Sequence, residues 1–275
     1  MVRQLSSRRV TDAPIRRSEG ETLNPVPANN EARRAYAVRP DYQELLIEPI
    51  AAMRLQLVPA IGAFLFYDAS LNVWTDVLND APLIFNREES VNTTVLGAMT
   101  TSDYFYLGFR GVVGGVLVDV GATPNANAAI LTCQYSNAQR DWTALTITDG
   151  TISPAGVTLG ADGVISWTAP TAWRSALIGQ LVLPPGAPAA PVDAEQMFWL
   201  RFAVNATLTA GLILVQLTPL GKTAVVTDDV AALTGGIFLK AAVEYTMSFH
   251  PSIGAVEVMA QGGAATTARA SWIAR

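Results

Sequence analysis

The 275-residue chain holds one histidine, His250, and one cysteine, Cys133. That count excludes any site built from several His or Cys ligands, and it excludes an intrachain disulfide. Charge is scarce as well: 15% of the residues are Asp, Glu, Lys or Arg, against roughly 25% in average globular domains. Lysine is nearly missing, with only Lys222 and Lys240. Long apolar runs are missing too. The two most apolar windows, Gly111–Val120 and Ala203–Leu217, are interrupted by Asp119 and Asn205, and both fall short of the roughly 18 apolar residues of a membrane span. No apolar segment follows the five arginines between Met1 and Arg17. A secretory leader would need one, so the chain is expected to stay in the cytosol until it is assembled.

The groups that carry most catalysis are equally sparse. A Ser-His-Asp arrangement would need His250, which sits beside Pro251 at the end of an alternating stretch and reads as a surface residue. The acidic pairs Glu88-Glu89 and Asp228-Asp229 would point to opposite faces if extended, and no distant pair such as Asp119 with Asp141 is singled out. Gly121–Asn127 has the amides of a calcium loop but no acids. Gly111–Gly115 lacks the Lys-Ser/Thr of a phosphate loop. No catalytic, cofactor-binding or metal-binding residues are assigned, and the chain is read as a non-enzyme.

What is present is strand and turn. Half of the residues are hydrophobic, with 21 Gly and 16 Pro, which excludes wholesale disorder. Period-two alternation recurs at Met53–Leu57, Phe64–Tyr67, Tyr104–Phe109, Val116–Val120, Phe198–Val204 and Val243–Phe249. Asp149-Gly150 and Asp162-Gly163 mark tight turns beside alternating residues. Helical spacing is thin: Asp41–Ile47 and Ser70–Leu78 have room for a turn or two of helix. Pro184–Pro191 has four prolines in eight residues and reads as a stiff loop protruding between two strands. The fold class is all-β: a jelly-roll-like β-sandwich with an extended N-terminal arm and a C-terminal β tail.

Charge divides the chain. Residues 1–40 carry eight arginines (Arg3, Arg8, Arg9, Arg16, Arg17, Arg33, Arg34 and Arg39) against four acids, whereas the rest carries ten basic and nineteen acidic side chains. The first forty residues hold few large apolar groups and cannot offset their own ordering entropy. They are therefore expected to form an arm that orders only against a partner. The organisation expected is residues 1–58 as arm with a lead-in strand, 59–220 as the sandwich, and 221–275 as a C-terminal β segment or small subdomain. A basic arm and an acidic body are complementary, and arginine suits carboxylate pairing between subunits, so nucleic acid is disfavoured as a partner. Of the six tryptophans, Trp173, set after Pro170, is the one expected at the surface as a contact, and the others are expected in the core or between subunits.

One ordered series has a familiar texture. It runs through Tyr135, Trp142–Thr151 with its Asp-Gly-Thr turn, Asp162–Trp173 with two tryptophans around Pro170, and Phe198-Trp199-Leu200-Arg201-Phe202. The series resembles β-sandwich modules of structural proteins in tailed-bacteriophage particles, over about residues 60–220. The resemblance implies a virion component with no catalytic residues and no cofactor, assembled in the host cytoplasm. The role expected is a capsid decoration or cement protein. Its partners would be the shell protein and copies of itself, in a homo-oligomer such as a trimer, with no membrane. Two alternatives stay open: a receptor- or carbohydrate-binding tail or fibre module, and a jelly-roll main capsid protein.

Overall fold

The computed structural model describes residues 16–17, 21–23, 34–38, 42–77, 94–96, 99–153, 156–191, 195–222, 237–250, 252–260 and 267–274. The first five strands are β1 (Arg16–Arg17), β2 (Glu21–Leu23), β3 (Arg34–Ala37), β4 (Tyr42–Pro49) and β5 (Met53–Pro59). The middle of the chain opens with β6 (Ile61–Asp68), β7 (Val73–Asp76), β8 (Thr94–Val95), β9 (Tyr104–Phe109), β10 (Val113–Val120) and β11 (Leu131–Ser136). It continues with β12 (Trp142–Leu145), β13 (Thr148–Asp149), β14 (Gly163–Ser166), β15 (Ser175–Ala176), β16 (Met197–Val204) and β17 (Ile213–Gly221). The last strands are β18 (Ile237–Leu239), β19 (Tyr245–Ser248), β20 (Ile253–Ala260) and β21 (Ala268–Ala274). The all-β expectation holds: the only helical element among the described residues is a short 3-10 turn at Ile178–Gln180, apart from a single residue at Val77.

Among the described residues all strand pairings are antiparallel, in four sheets that form two sandwiches. The central sandwich joins a sheet ordered β12-β11-β16-β9-β6-β7, with β15 also on β16, to one ordered β13-β14-β10-β17-β8. Alternation explains the pairing. Phe64, Phe105, Leu107, Leu200 and Phe202 face Val116, Val118, Ile165 and Leu217 in one buried cluster. Each such side chain contributes about 1.5–3 kcal/mol by leaving water. The second sandwich joins β1-β21-β4-β19, with β2 also on β21, to β18-β5-β20-β3. Its core holds Leu45, Ile47, Met53, Leu55, Val256, Val258 and Trp272. Both chain ends contribute to this terminal sandwich, and the central one is inserted between β5 and β18.

Three expectations are corrected by this topology. The first concerns the arm. Its described pieces are strands of the chain's own sheets: Arg16 and Arg17 lie opposite Ala274 and Ile273, β2 also pairs with β21, and Arg34 lies opposite Val258. The leader is poor in apolar groups, but these three described pieces pair with the backbone of β20 and β21, whose N–H and C=O groups need ladder partners. Arg3, Arg8, Arg9, Arg33 and Arg39 lie outside the described residues, as do the acidic pairs Glu88-Glu89 and Asp228-Asp229. The second concerns residues 42–47, which are strand and not helix. Leu45 and Ile47 are fully buried and pair with Trp272 and Ala270, so the tertiary ladder overrides local propensity. The third concerns Ser70–Leu78, where Val73–Asp76 forms the outer strand β7 against β6.

The two sandwiches are tied where β5 runs into β6 through Ala60. The Ala60 N–H donates to Ser252 O at 2.7 Å, and its carbonyl accepts from Arg110 N at 2.9 Å. Val58 and Ala255 of the terminal sandwich complete the central core. Beside them the buried Glu257 accepts the Gly221 N–H at 3.0 Å. Cys133 lies in the central core, and burial pushes its thiol well above the ordinary cysteine value. The thiolate is the reactive form, so iodoacetamide is expected to label Cys133 only in denaturant. Rapid labelling of the native chain, read by mass spectrometry, would contradict this placement.

The Asp-Gly pairs act as turn devices, as expected. Asp149 accepts from Thr151 N at 2.9 Å, from Thr151 Oγ1 at 2.6 Å, and from the Thr158 hydroxyl, while Asp162 accepts Val120 N at 2.7 Å. A Cβ on Gly163 would overlap the Gly150 carbonyl oxygen. Only glycine lets β14 pass that close to the turn after β13.

Candidate binding face

The outer face of the seven-stranded sheet gathers the features most suited to recognition. Along β16, Trp199, Arg201 and Ala203 point away from the inter-sheet core, because Leu200, Phe202 and Val204 fill that core. The same alternation on β6 and β9 turns Leu65, Tyr67, Tyr104 and Tyr106 outward. Those rings form a chain of contacts. Tyr67 meets Trp74 at 4.9 Å between centroids, Trp74 meets Tyr106 at 5.1 Å, and Tyr106 meets Trp142 at 5.6 Å.

Half of this face is sealed by residues 176–190. Ile178, Leu181 and Ala190 pack on Ala63, Leu65 and Trp199. Three indole N–H groups pin the strap through its carbonyls: Trp199 to Ala176 at 2.9 Å, Trp142 to Val182 at 2.6 Å and Trp74 to Pro188 at 2.9 Å. Asn72 Nδ2 adds a bond to Gly186 O at 3.1 Å. The proline-rich loop therefore lies along the sheet and does not protrude. The apolar rings give it a surface to cover, and burying an indole requires an acceptor for its N–H.

Trp173, expected at the surface, is 2% exposed. The Pro170 turn folds the chain back, with Trp173 N donating to Pro170 O at 3.2 Å. The ring then sits edge-on to Phe109 and Phe198 and donates to Trp199 O at 3.1 Å. A proline-bounded segment looks like a loop in sequence, but only the fold decides which way the turn aims its tryptophan.

The other half of the face is open and centres on Arg201. Its guanidinium carbon lies 4.8 Å above the Tyr104 ring and 4.7 Å above that of Trp142. Nε donates to Gln134 Oε1 at 2.9 Å, and Nη2 donates to the same oxygen. Arg201, Gln134 and Tyr104 are half-buried, while Thr132 and Ala144 beside them are exposed. Directly across the ladder from Arg201 stands Tyr106, fully buried, with its hydroxyl turned to Arg201. Burial drives its phenol well above the ordinary tyrosine value, and the positive charge of Arg201 acts the other way. Sequence reading missed Arg201, although its alternation with Trp199 and Ala203 was a usable signal.

A second concavity, of about 1070 Å³, opens where the two central sheets part between β12 and β14. Tyr135 and Trp167 contribute to its lining together with Thr146, Thr148, Ser166 and Thr168. It carries hydroxyls but a single carboxylate, Asp162, already engaged by Val120.

The remaining candidates resolve into structural parts. His250 is exposed and bonds to Ser252 within one turn, Nδ1 to Oγ at 2.9 Å. The amides of 121–127 serve the fold: buried Asn125 donates to Asn127 O and Thr158 O and accepts from Asn127 N, Thr209 N and Thr209 Oγ1. Among the described residues no cluster of three or more His, Cys, Asp or Glu is placed to hold a metal, and no helix is long and apolar enough to cross a membrane. The chain matches no family model, no curated protein and no solved structure.

Proposed function

We propose that this chain is a non-enzymatic structural protein of a virus particle, acting as a capsid decoration or cement protein and working as a homo-oligomer on the shell. The observation that carries the reading is the wiring of the central sandwich. Taken in chain order, β8, β9, β10, β11, β12, β14, β16 and β17 switch sheets at every step except β11 to β12, so that one sheet runs β8-β17-β10-β14 and the other β9-β16-β11-β12. That order supports reading the sandwich as two interlocked Greek keys, the jelly-roll arrangement used by viral capsid and lectin domains. Fold alone does not fix a role. The resemblance of residues 60–220 to phage virion modules is the second support.

In this reading attachment falls to the terminal sandwich and not to a free arm. Ile50, Ile237, Phe238 and Val243 expose between 41% and 61% of their surface there. Exposed apolar side chains suit contact with a shell, and repetition over a symmetric lattice multiplies each weak contact. Cryo-electron microscopy of the native assembly tests the proposal. Both sandwiches are expected at symmetric, repeated positions on the outside of a shell, with the terminal sandwich innermost. Particles lacking the chain would overturn the reading, and a shell built of this chain alone would make it the main capsid protein.

A further inference from the structure

Arg201 is a half-buried cation without an anion. Among the described residues no carboxylate pairs with it: Nε and Nη2 go to the neutral oxygen of Gln134, and the other polar group it meets, the Tyr106 hydroxyl, is neutral as well. In an acidic chain with 23 Asp and Glu that is an unusual omission, because a partly desolvated charge is normally paired. The guanidinium is nevertheless held in place. Stacking on Tyr104 and Trp142 and the fork onto Gln134 fix its plane, so no ordering is left for a ligand to supply. Because Oε1 of Gln134 faces Arg201, its Nε2 donors point the other way and have no partner among the described residues.

We propose that this open half of the sheet face binds a carboxylate-bearing sugar, with the acid on Arg201. A carboxylate matches the planar donor edge of arginine better than any neutral group. The surroundings select a sugar. The small side chains of Ala144, Ala203 and Thr132 flank Gln134 and Arg201 on the paired strands, leaving apolar surface beside the Tyr104 ring on which the C–H face of a sugar can pack. The Gln134 amide can donate to the ligand's hydroxyls, and the exposed Thr132 oxygen, whose proton goes to Ala203 O at 3.1 Å, can accept from them. The site does not depend on the virion reading: it stands or falls on Arg201 alone.

Saturation-transfer NMR and titration calorimetry on the full chain test it, using 3′-sialyllactose, a glucuronic-acid disaccharide, lactose and a glutamate-rich peptide. At least one acidic sugar is expected to bind, lactose is not, and raised salt should weaken the complex. Arg201→Gln is expected to weaken binding about tenfold or more, the loss typical of a charged hydrogen bond. Thr132→Glu supplies the missing counter-ion from an exposed position, leaves the stacked rings untouched, and should block binding equally. It keeps the test decisive if the arginine variant does not fold. The proposal is overturned if neither acidic sugar binds, if lactose or the peptide binds as well as they do, or if Thr132→Glu leaves binding unchanged.

Discussion

Trp199→Ala is expected to cost about 3–5 kcal/mol of unfolding free energy, the range for removing a large buried aromatic. The side chain is fully buried between the sheet and its strap. Its partner position in the ladder is Gly108, where even a Cβ would lie 2.9 Å from the indole ring. The cavity left behind cannot collapse readily, because the strap above it is pinned independently by Trp142 and Trp74. Ala176 O also loses its donor, a further penalty if water cannot reach it. Trp199→Phe keeps most of the packing and should cost clearly less. Urea denaturation reads both values: the midpoint should fall with little change in slope. A midpoint within error of the parent would mean that the strap does not hold the face shut.

Deleting residues 264–275 is expected to dismantle the terminal sandwich and spare the central one. Strand β21 lies inside its sheet, pairing β4 on one side and β1 and β2 on the other. Without it, Leu45 and Ile47 lose their cover along with Ala268, Ala270 and Trp272. Trp272 alone accounts for about 3–5 kcal/mol by the same reasoning. Backbone amides of residues 42–49 should then exchange with deuterium near the unprotected rate, while those of 104–109 and 198–204 stay slow. Uniform protection in the truncated chain would show that the two sandwiches do not rest on separate cores. Loss everywhere would show that the Ala60 and Glu257 contacts bind them into one cooperative unit.

Legibility in the sequence followed burial geometry. Where one face of a strand is core and the other is not, period two is written plainly, as in Phe198–Val204 and Tyr104–Phe109. Asp149-Gly150 was readable because a tight turn needs those residue types locally. Leu45-Leu46-Ile47 was not, because three adjacent apolar residues carry no period, and pairing with β21 decided between helix and strand. The candidate face was half visible. Arg201 stands in register with Trp199, but Tyr104, Gln134 and Trp142 reach it from strands that only the sheet order brings together.

By itself, the order of residues determined that this is an all-β chain with little charge, turns at its Asp-Gly pairs, and a large apolar body between two differently composed ends. Those properties follow from local sterics and from alternation, which act over a few residues. The tertiary structure alone decided that the two ends share one sandwich, that Trp173 points inward, that the proline loop lies flat under three indoles, and that Arg201 has no acid beside it. Each of these depends on backbone pairing and burial between residues far apart in the chain, and the energy of such contacts is assigned only once the strands have chosen their neighbours.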